Sequence, residues 1–403
     1  MPSPIGVAPP PSCTPGYSML AITGRFVVLT LTLFGIPLLA AEPEPSRRDA
    51  IKPNAFESID DLVNQAIEQG KLPGAVVTIG HQGDVVFQRA YGHRQLEPTA
   101  VAMTVDTVFD LASLTKPIAT ATSVMTLVEK GRINLNDTVS QHLPEFGNHG
   151  KEEITIKQLL LHTSGLTPDN ALSDYTESPE RAIQNVMKLG LNYTPGSKFR
   201  YSDVGFIVLG EIVRRKTGMD LNAYSQQAIF APLGMKETSY KPATPLQQRA
   251  ATTQQRDGHW MQGEVHDPRA YALGGVAGHA GLFSTAADLS IYAAAMCNRG
   301  SLDNTTIISE KTFAEMTASY SVPGDAVRGL GWDKQSGYSS NRGKTMTDTA
   351  FGHGGFTGTA MWIDPELELF VIFLSNRVHP DGRGSVNALA GQIGTIAADA
   401  VKP

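Results

Sequence analysis

Ser113-Leu114-Thr115-Lys116 places a serine and a lysine three residues apart where a helix is expected to begin. Positions i and i+3 share one face of a helix, so the ammonium can reach the hydroxyl. A serine hydroxyl is a weak nucleophile until a neighbouring base removes its proton, and a lysine serves as that base only where its surroundings lower its pKa. Alone, the pattern arises by chance in many chains of 403 residues. Its weight comes from Tyr201-Ser202-Asp203 and His353-Gly354-Gly355, which follow in the order expected of a three-element serine acyl-transfer site.

Working outward, Ser113 to Lys130 reads as a helix. Ile118, Ala119, Ala121, Val124, Met125, Leu127 and Val128 give it an almost all-round apolar surface, the mark of a buried helix. Pro117 is tolerated only near the first turn, which places Ser113 at or beside the N-terminus, where free N–H groups favour developing negative charge. Upstream, Ile59, Leu62, Val63, Ala66 and Ile67 predict an amphipathic helix, and Ala75–Ile79 with Val85–Tyr91 predict a hairpin around His81-Gln82-Gly83-Asp84. Ile133–Phe146 reads as a loop, residues 180–190 and 204–218 as helices, and Thr285 with Asp288 as a capping box. Thr359–Ile363 and Leu367–Leu374 read as strands, followed by a helix over roughly 385–400. The order predicts an α+β fold: an antiparallel sheet built from both chain ends, flanked by helices, with a mostly helical middle region.

Composition narrows the class. The net charge of −6, with both signs scattered, offers no basic surface for nucleic acid. The 41% hydrophobic content suffices for a sizeable core. Ten histidines without an H-E-x-x-H or Cys/His cluster argue against a metal, and no cofactor is expected. Phe26–Ala40 is apolar, follows Arg25 and ends in Leu39-Ala40-Ala41, the pattern of an export signal and short of the roughly 20 residues of a spanning helix. The expected organisation is a signal peptide at 1–41, a linker at 42–56 and one hydrolase domain of two subregions at 57–403. An uncleaved signal would leave a membrane tether, and translation from Met19 would make the signal more ordinary. The expected location is periplasmic or secreted. Cys297 stands alone in the expected mature part, a small buried hydrophobe.

Tyr201 falls in a loop at a helix start, where a phenol can take part in proton transfer. Gly352-His353-Gly354-Gly355-Phe356-Thr357-Gly358 runs into a strand rather than opening a helix, which excludes a dinucleotide fingerprint. It predicts a strand edge lining a cleft, with an N–H for an oxyanion and His353 as a polar or cationic partner.

Taken together, the three motifs resemble those of the serine β-lactamase and penicillin-binding protein superfamily, on its class C and D-alanyl-D-alanine carboxypeptidase side. Leu160–Leu166, Pro195-Gly196, Pro232–Met235 and the stretch from Val265 to Ser284 extend the likeness over roughly 55–400, the last resembling penicillin-binding protein 4B-like hydrolases. The resemblance implies a β-lactamase/transpeptidase-like fold. It implies Ser113 as acylated nucleophile, Lys116 as base or proton relay, and Tyr201 assisting transfer to the leaving group. Substrate binding would fall to Asp203, His353, Gly354, Gly355 and Phe356, with the N–H groups of Ser113 and Phe356 as oxyanion hole.

Two departures matter: Asp203 stands where the family commonly has an asparagine, and His353 where many relatives have a lysine. An ionised Asp203 cannot donate a hydrogen bond, and a neutral His353 cannot pair with a substrate carboxylate. Arg377 is a candidate replacement cation, though it reads as an exposed surface arginine; His162, His266 and His279 read as structural. The expected function is an exported serine hydrolase acting through an acyl-enzyme on D-alanyl-D-alanine peptides or β-lactams. The alternatives are a carboxylesterase on the same scaffold and a penicillin-binding or sensing protein with little turnover.

Overall fold

Alternation along the last strand organises the structure. The computed structural model describes residue 51 and residues 54–402, all within one compact unit spanning Pro45–Pro403. The expected signal at 1–41 and most of the 42–56 linker lie outside the described residues. In Leu369–Ser375, Leu369, Val371 and Phe373 enter one core cluster, while Phe370, Ile372 and Leu374 enter another. Successive strand residues point to opposite faces, so a strand apolar at every position is buried on both.

Among the described residues nine strands form the main sheet. They are β1 (Gly74–His81), β2 (Asp84–Gln95), β3 (Val101–Ala102), β4 (Tyr320–Val322), β5 (Ala326–Arg328), β6 (Asp333–Gln335), β7 (Phe351–Gly355), β8 (Thr359–Asp364) and β9 (Leu369–Ser375). Their order is β4-β5-β6-β7-β8-β9-β1-β2-β3. β1 and β9 pair antiparallel with Val77 opposite Phe373, so the two ends of the chain meet at the centre of the sheet. Helices α1 (Glu57–Glu68) and, near the C-terminus, Asn387–Val401 cover one face through Ile59, Val63, Leu389 and Ile393, packed with Trp362 and Phe373. The other face packs on the helical middle region, including Ala286–Cys297. The fold is the expected α+β arrangement.

Four local readings change. The 113–130 helix is a 3₁₀ turn at Ala112–Leu114, a π-turn at Lys116–Ala121 and an α-helix only from Thr122 to Glu129. Pro117 has no N–H to give, and the Thr122 hydroxyl bonds its carbonyl at 2.8 Å, both of which favour the wider turn. The 133–146 stretch carries short helices at Val139–His142 and Pro144–Phe146. Thr285 caps its helix, but the Asp288 carboxylate accepts from Glu237 N and Thr238 Oγ1, so the reciprocal half of the capping box is absent. Cys297 is only half-buried by residue; its thiol lies between the Asp364 and Leu369 carbonyls, and burial pushes it up to about 12.

Candidate active site

The serine sits on a constrained turn. Ala112 has φ +46°, a conformation unfavourable for a residue with a side chain, and its N–H donates to Asp110 Oδ1 at 2.9 Å. Asp110 Oδ2 accepts from His266 N at 2.6 Å. Burial raises this carboxyl to about 6 against those two hydrogen bonds. The third motif is stitched to the same turn: Thr357 Oγ1 donates to Asp110 O at 2.7 Å and Thr359 Oγ1 to Leu111 O at 3.0 Å. A Cβ at Gly355 would overlap the Leu111 carbonyl and the Thr359 hydroxyl, so glycine is needed for β7 to come this close.

Lys116 is fully buried behind Ser113. Its Nζ donates to Ser113 Oγ at 3.0 Å and to His279 O at 2.9 Å, and lies 2.6 Å from Asp203 Oδ1 as an ion pair. Burial disfavours the ammonium, but the Asp203 carboxylate and the Tyr201 phenol outweigh it, and the lysine pKa rises above its ordinary value. The resting site therefore stores an ammonium. Asp203 is held at the start of the helix Asp203–Thr217, where Ser202 caps Gly205 N at 3.1 Å and bonds Thr167 O at 2.6 Å. The substitution of asparagine by aspartate thus acts first on the lysine.

Tyr201 lies with its ring centroid 4.9 Å from Nζ, sandwiched between histidines: 4.4 Å from the His162 ring and 5.8 Å from the His353 ring. Its buried hydroxyl makes no well-formed hydrogen bond, and burial holds the phenol protonated, against the pull of Lys116. His162 Nδ1 accepts from Ser202 N at 3.1 Å, so this histidine fixes the tyrosine loop and stays neutral in its buried position. His353 donates from Nδ1 to the Gly354 carbonyl at 2.7 Å, and burial and the nearby Arg328 and Lys116 charges push its pKa well down. Its surroundings therefore favour the neutral imidazole, the polar form of the expected partner.

A cleft of about 410 Å³ is lined by Ser113, Tyr201, His353, Gly354, Gly355 and Phe356, together with Arg328, Asn341 and Arg377. The structure brings every expected site residue except Lys116 and Asp203 to the cleft wall, and those two lie directly behind Ser113. Arg377, expected on the open surface, lines the cleft, but its guanidinium is spent on the carbonyls of Phe356, Gly382 and Gly384 at 2.6 to 3.1 Å. Asp110, Arg328 and Asn341 had no motif to flag them. Asp203, Asp267 and His279 bring ligand atoms within 4.8 Å of one another. Yet Asp203 already holds the Lys116 ammonium and Asp267 the His279 ring at 2.9 Å, so the lysine occupies the cation's role.

Comparison with known proteins agrees with this geometry. The Beta-lactamase family pattern matches residues 59–394. A Bacillus subtilis (strain 168) protein named N-acetylmuramyl-L-alanine amidase is 35% identical over 361 residues, covering 80% of this chain and 81% of that protein. A Salmonella agona (strain SL483) protein named "Putative D-alanyl-D-alanine carboxypeptidase" is 32% identical over a 400-residue alignment, covering 90% of this chain and 89% of that protein. Among solved structures, a class C beta-lactamase superposes with a TM-score of 0.72 at 16% identity over 87% of this chain and 97% of that one, a likeness of fold. A buried lysine beside a serine on a matching scaffold leads to one assignment: this chain belongs to the Beta-lactamase family of serine hydrolases.

Proposed function

We propose that this hydrolase is exported and acts in the periplasm or outside the cell, where Ser113 is acylated by D-alanyl-D-alanine peptides or the related β-lactams. The observation that carries the reading is the 3.0 Å contact between Lys116 Nζ and Ser113 Oγ at the wall of an open cleft. Relatives named for peptidoglycan amide chemistry support the substrate class. Export rests on the apolar Phe26–Ala40 stretch; among the described residues no helix is long and apolar enough to cross a membrane.

In this reading the Lys116 ammonium first loses a proton to solvent, and the free amine then accepts the Ser113 proton. Ser113 Oγ then attacks the carbonyl, and the N–H groups of Ser113 and Phe356 stabilise the tetrahedral oxyanion. Tyr201, protonated at rest, hands its proton to the leaving nitrogen as the C–N bond breaks, and Lys116 restores it. Water attacks the acyl-enzyme in the second half, with the same groups moving the proton in reverse.

A carboxylesterase reading is favoured by the position of His353: it is buried, bonded through Nδ1 to Gly354 O, and its surroundings disfavour the cation that would hold a substrate carboxylate. The test is acylation. Wild-type protein should be labelled at Ser113 by a fluorescent penicillin or a fluorophosphonate and should turn over peptide or ester. Ser113→Ala should lose labelling and turnover alike, and persistent turnover in that variant would remove the assignment.

A further inference from the structure

The oxyanion hole invoked above draws its two N–H groups from segments far apart in sequence. Ser113 lies on the serine turn, and Phe356 directly follows the last residue of β7. Such a hole works only if its donors are held around the developing charge before the reaction begins. Neither segment can fix that spacing by itself.

Asp110 joins the two. It is 3% exposed and does not line the cleft, so it is not a substrate contact. Toward the first donor, Oδ1 accepts at 2.9 Å from the N–H of Ala112, whose left-handed backbone leads into Ser113. Toward the second, the main-chain oxygen of Asp110 accepts from Thr357 Oγ1 at 2.7 Å, one residue past Phe356. Oδ2 accepts from His266 N at 2.6 Å, and the His266 ring stacks on Phe356 with centroids 5.7 Å apart. All three oxygens of one residue are thus engaged on the two arms of the hole.

The carboxylate is costly where it sits. It forms no ion pair among the described residues; both side-chain oxygens face main-chain N–H groups. Burial raises its pKa to about 6 despite those hydrogen bonds, and the Asp267 and Arg256 charges act on it in opposite directions. A buried charge without a counter-ion destabilises a fold, and a well-packed apolar side chain would cost less. What the ionised form supplies is two acceptors at opposite ends, whereas an amide of the same shape accepts through one end alone.

We propose that Asp110 is a positioning residue of the oxyanion hole, setting the spacing between the Ser113 and Phe356 N–H groups without touching the substrate. The inference rests on the acyl-enzyme reading and extends it to a residue outside the three motifs.

The experiment compares an ester with its thiono counterpart, in which sulfur replaces only the carbonyl oxygen. Sulfur is larger and a weaker acceptor, so the thiono ester draws less on the placement of the two N–H groups. Both are assayed well above the Asp110 pKa, with rates corrected for the fraction of enzyme that a fluorophosphonate labels at completion. Wild-type protein should favour the oxygen ester in kcat. Asp110→Asn should lower kcat for that ester about tenfold, less than the loss of a whole donor, and leave KM and the thiono ester nearly unchanged. Thr357→Val cuts the link to the Phe356 arm from its other end and should narrow the preference in the same sense. This second variant decides the matter if Asp110→Asn does not fold. General loosening of the structure would slow both esters together, so a preference unchanged in the folded variants would overturn the proposal. So would a wild-type enzyme indifferent to the sulfur. Absence of labelling and of turnover in wild-type protein would instead remove the acyl-enzyme reading itself.

Discussion

Behind the helical wall of the cleft the Lys116 ammonium touches three oxygens within 3.0 Å, whereas at the strand wall the equally buried Arg328 is bound through one nitrogen. Burial alone therefore does not tell what a cation is for. The crowded lysine cannot drift, and its fixed position keeps Nζ at the serine hydroxyl. The arginine keeps two nitrogens without a partner among the described residues, and its place depends on the single bond to Asp333. The contrast separates a cation held by saturation from one held through a single contact.

The strongest way to break this contrast is to remove the lysine. Lys116→Ala should lower kcat/KM by about 10²- to 10⁴-fold, the usual contribution of a positioned proton-transfer group. A loss below tenfold in steady-state assays would show that another group takes the Ser113 proton.

Asp203→Asn sharpens the contrast by loosening the crowded side. The carboxylate favours the ammonium, so replacing it with a neutral amide lowers the Lys116 pKa and makes the amine available at lower pH. The acid limb of the kcat/KM profile should move down in pH, and activity at a fixed pH on that limb should rise about tenfold for every pH unit the limb travels. A limb that stays in place while the rate falls would assign Asp203 to proton relay or substrate contact instead.

The smallest expected effect is on the turn beneath Ser113. Asp110→Asn replaces an acceptor for Ala112 N or His266 N with an amide that cannot accept at both ends. Unfolding in urea should report a loss of about 1–3 kcal/mol. A variant as stable as wild type would show that the carboxylate is not what holds the strained alanine.

The regular parts of the fold were readable because period and burial coincide. Ile59, Val63 and Ala66 recur on one face of a helix, and the apolar run through Phe370, Ile372 and Leu374 has the continuity of a strand buried on both sides. The reactive pair was readable because Ser113 and Lys116 are close in sequence as well as in space. The π-turn was not, since Pro117 announces a helix start without specifying which turn. Arg328 and Asn341 escaped notice because their meaning depends on partners they lack or face across strands, and sequence spacing carries none of that. Arg377 looked like a surface residue for the same reason: its carbonyl partners at Phe356, Gly382 and Gly384 come from chain folding back on itself.

The pairing of Val77 with Phe373 also imposes an order of events during synthesis. The segment bearing the nucleophile leaves the ribosome long before Phe351–Gly355 and Leu369–Ser375, which supply its facing wall and lock the sheet. A partly made chain therefore carries the reactive hydroxyl with nothing to position an acyl group against it. The site is complete only once Leu369–Ser375 has been made and paired with Gly74–His81.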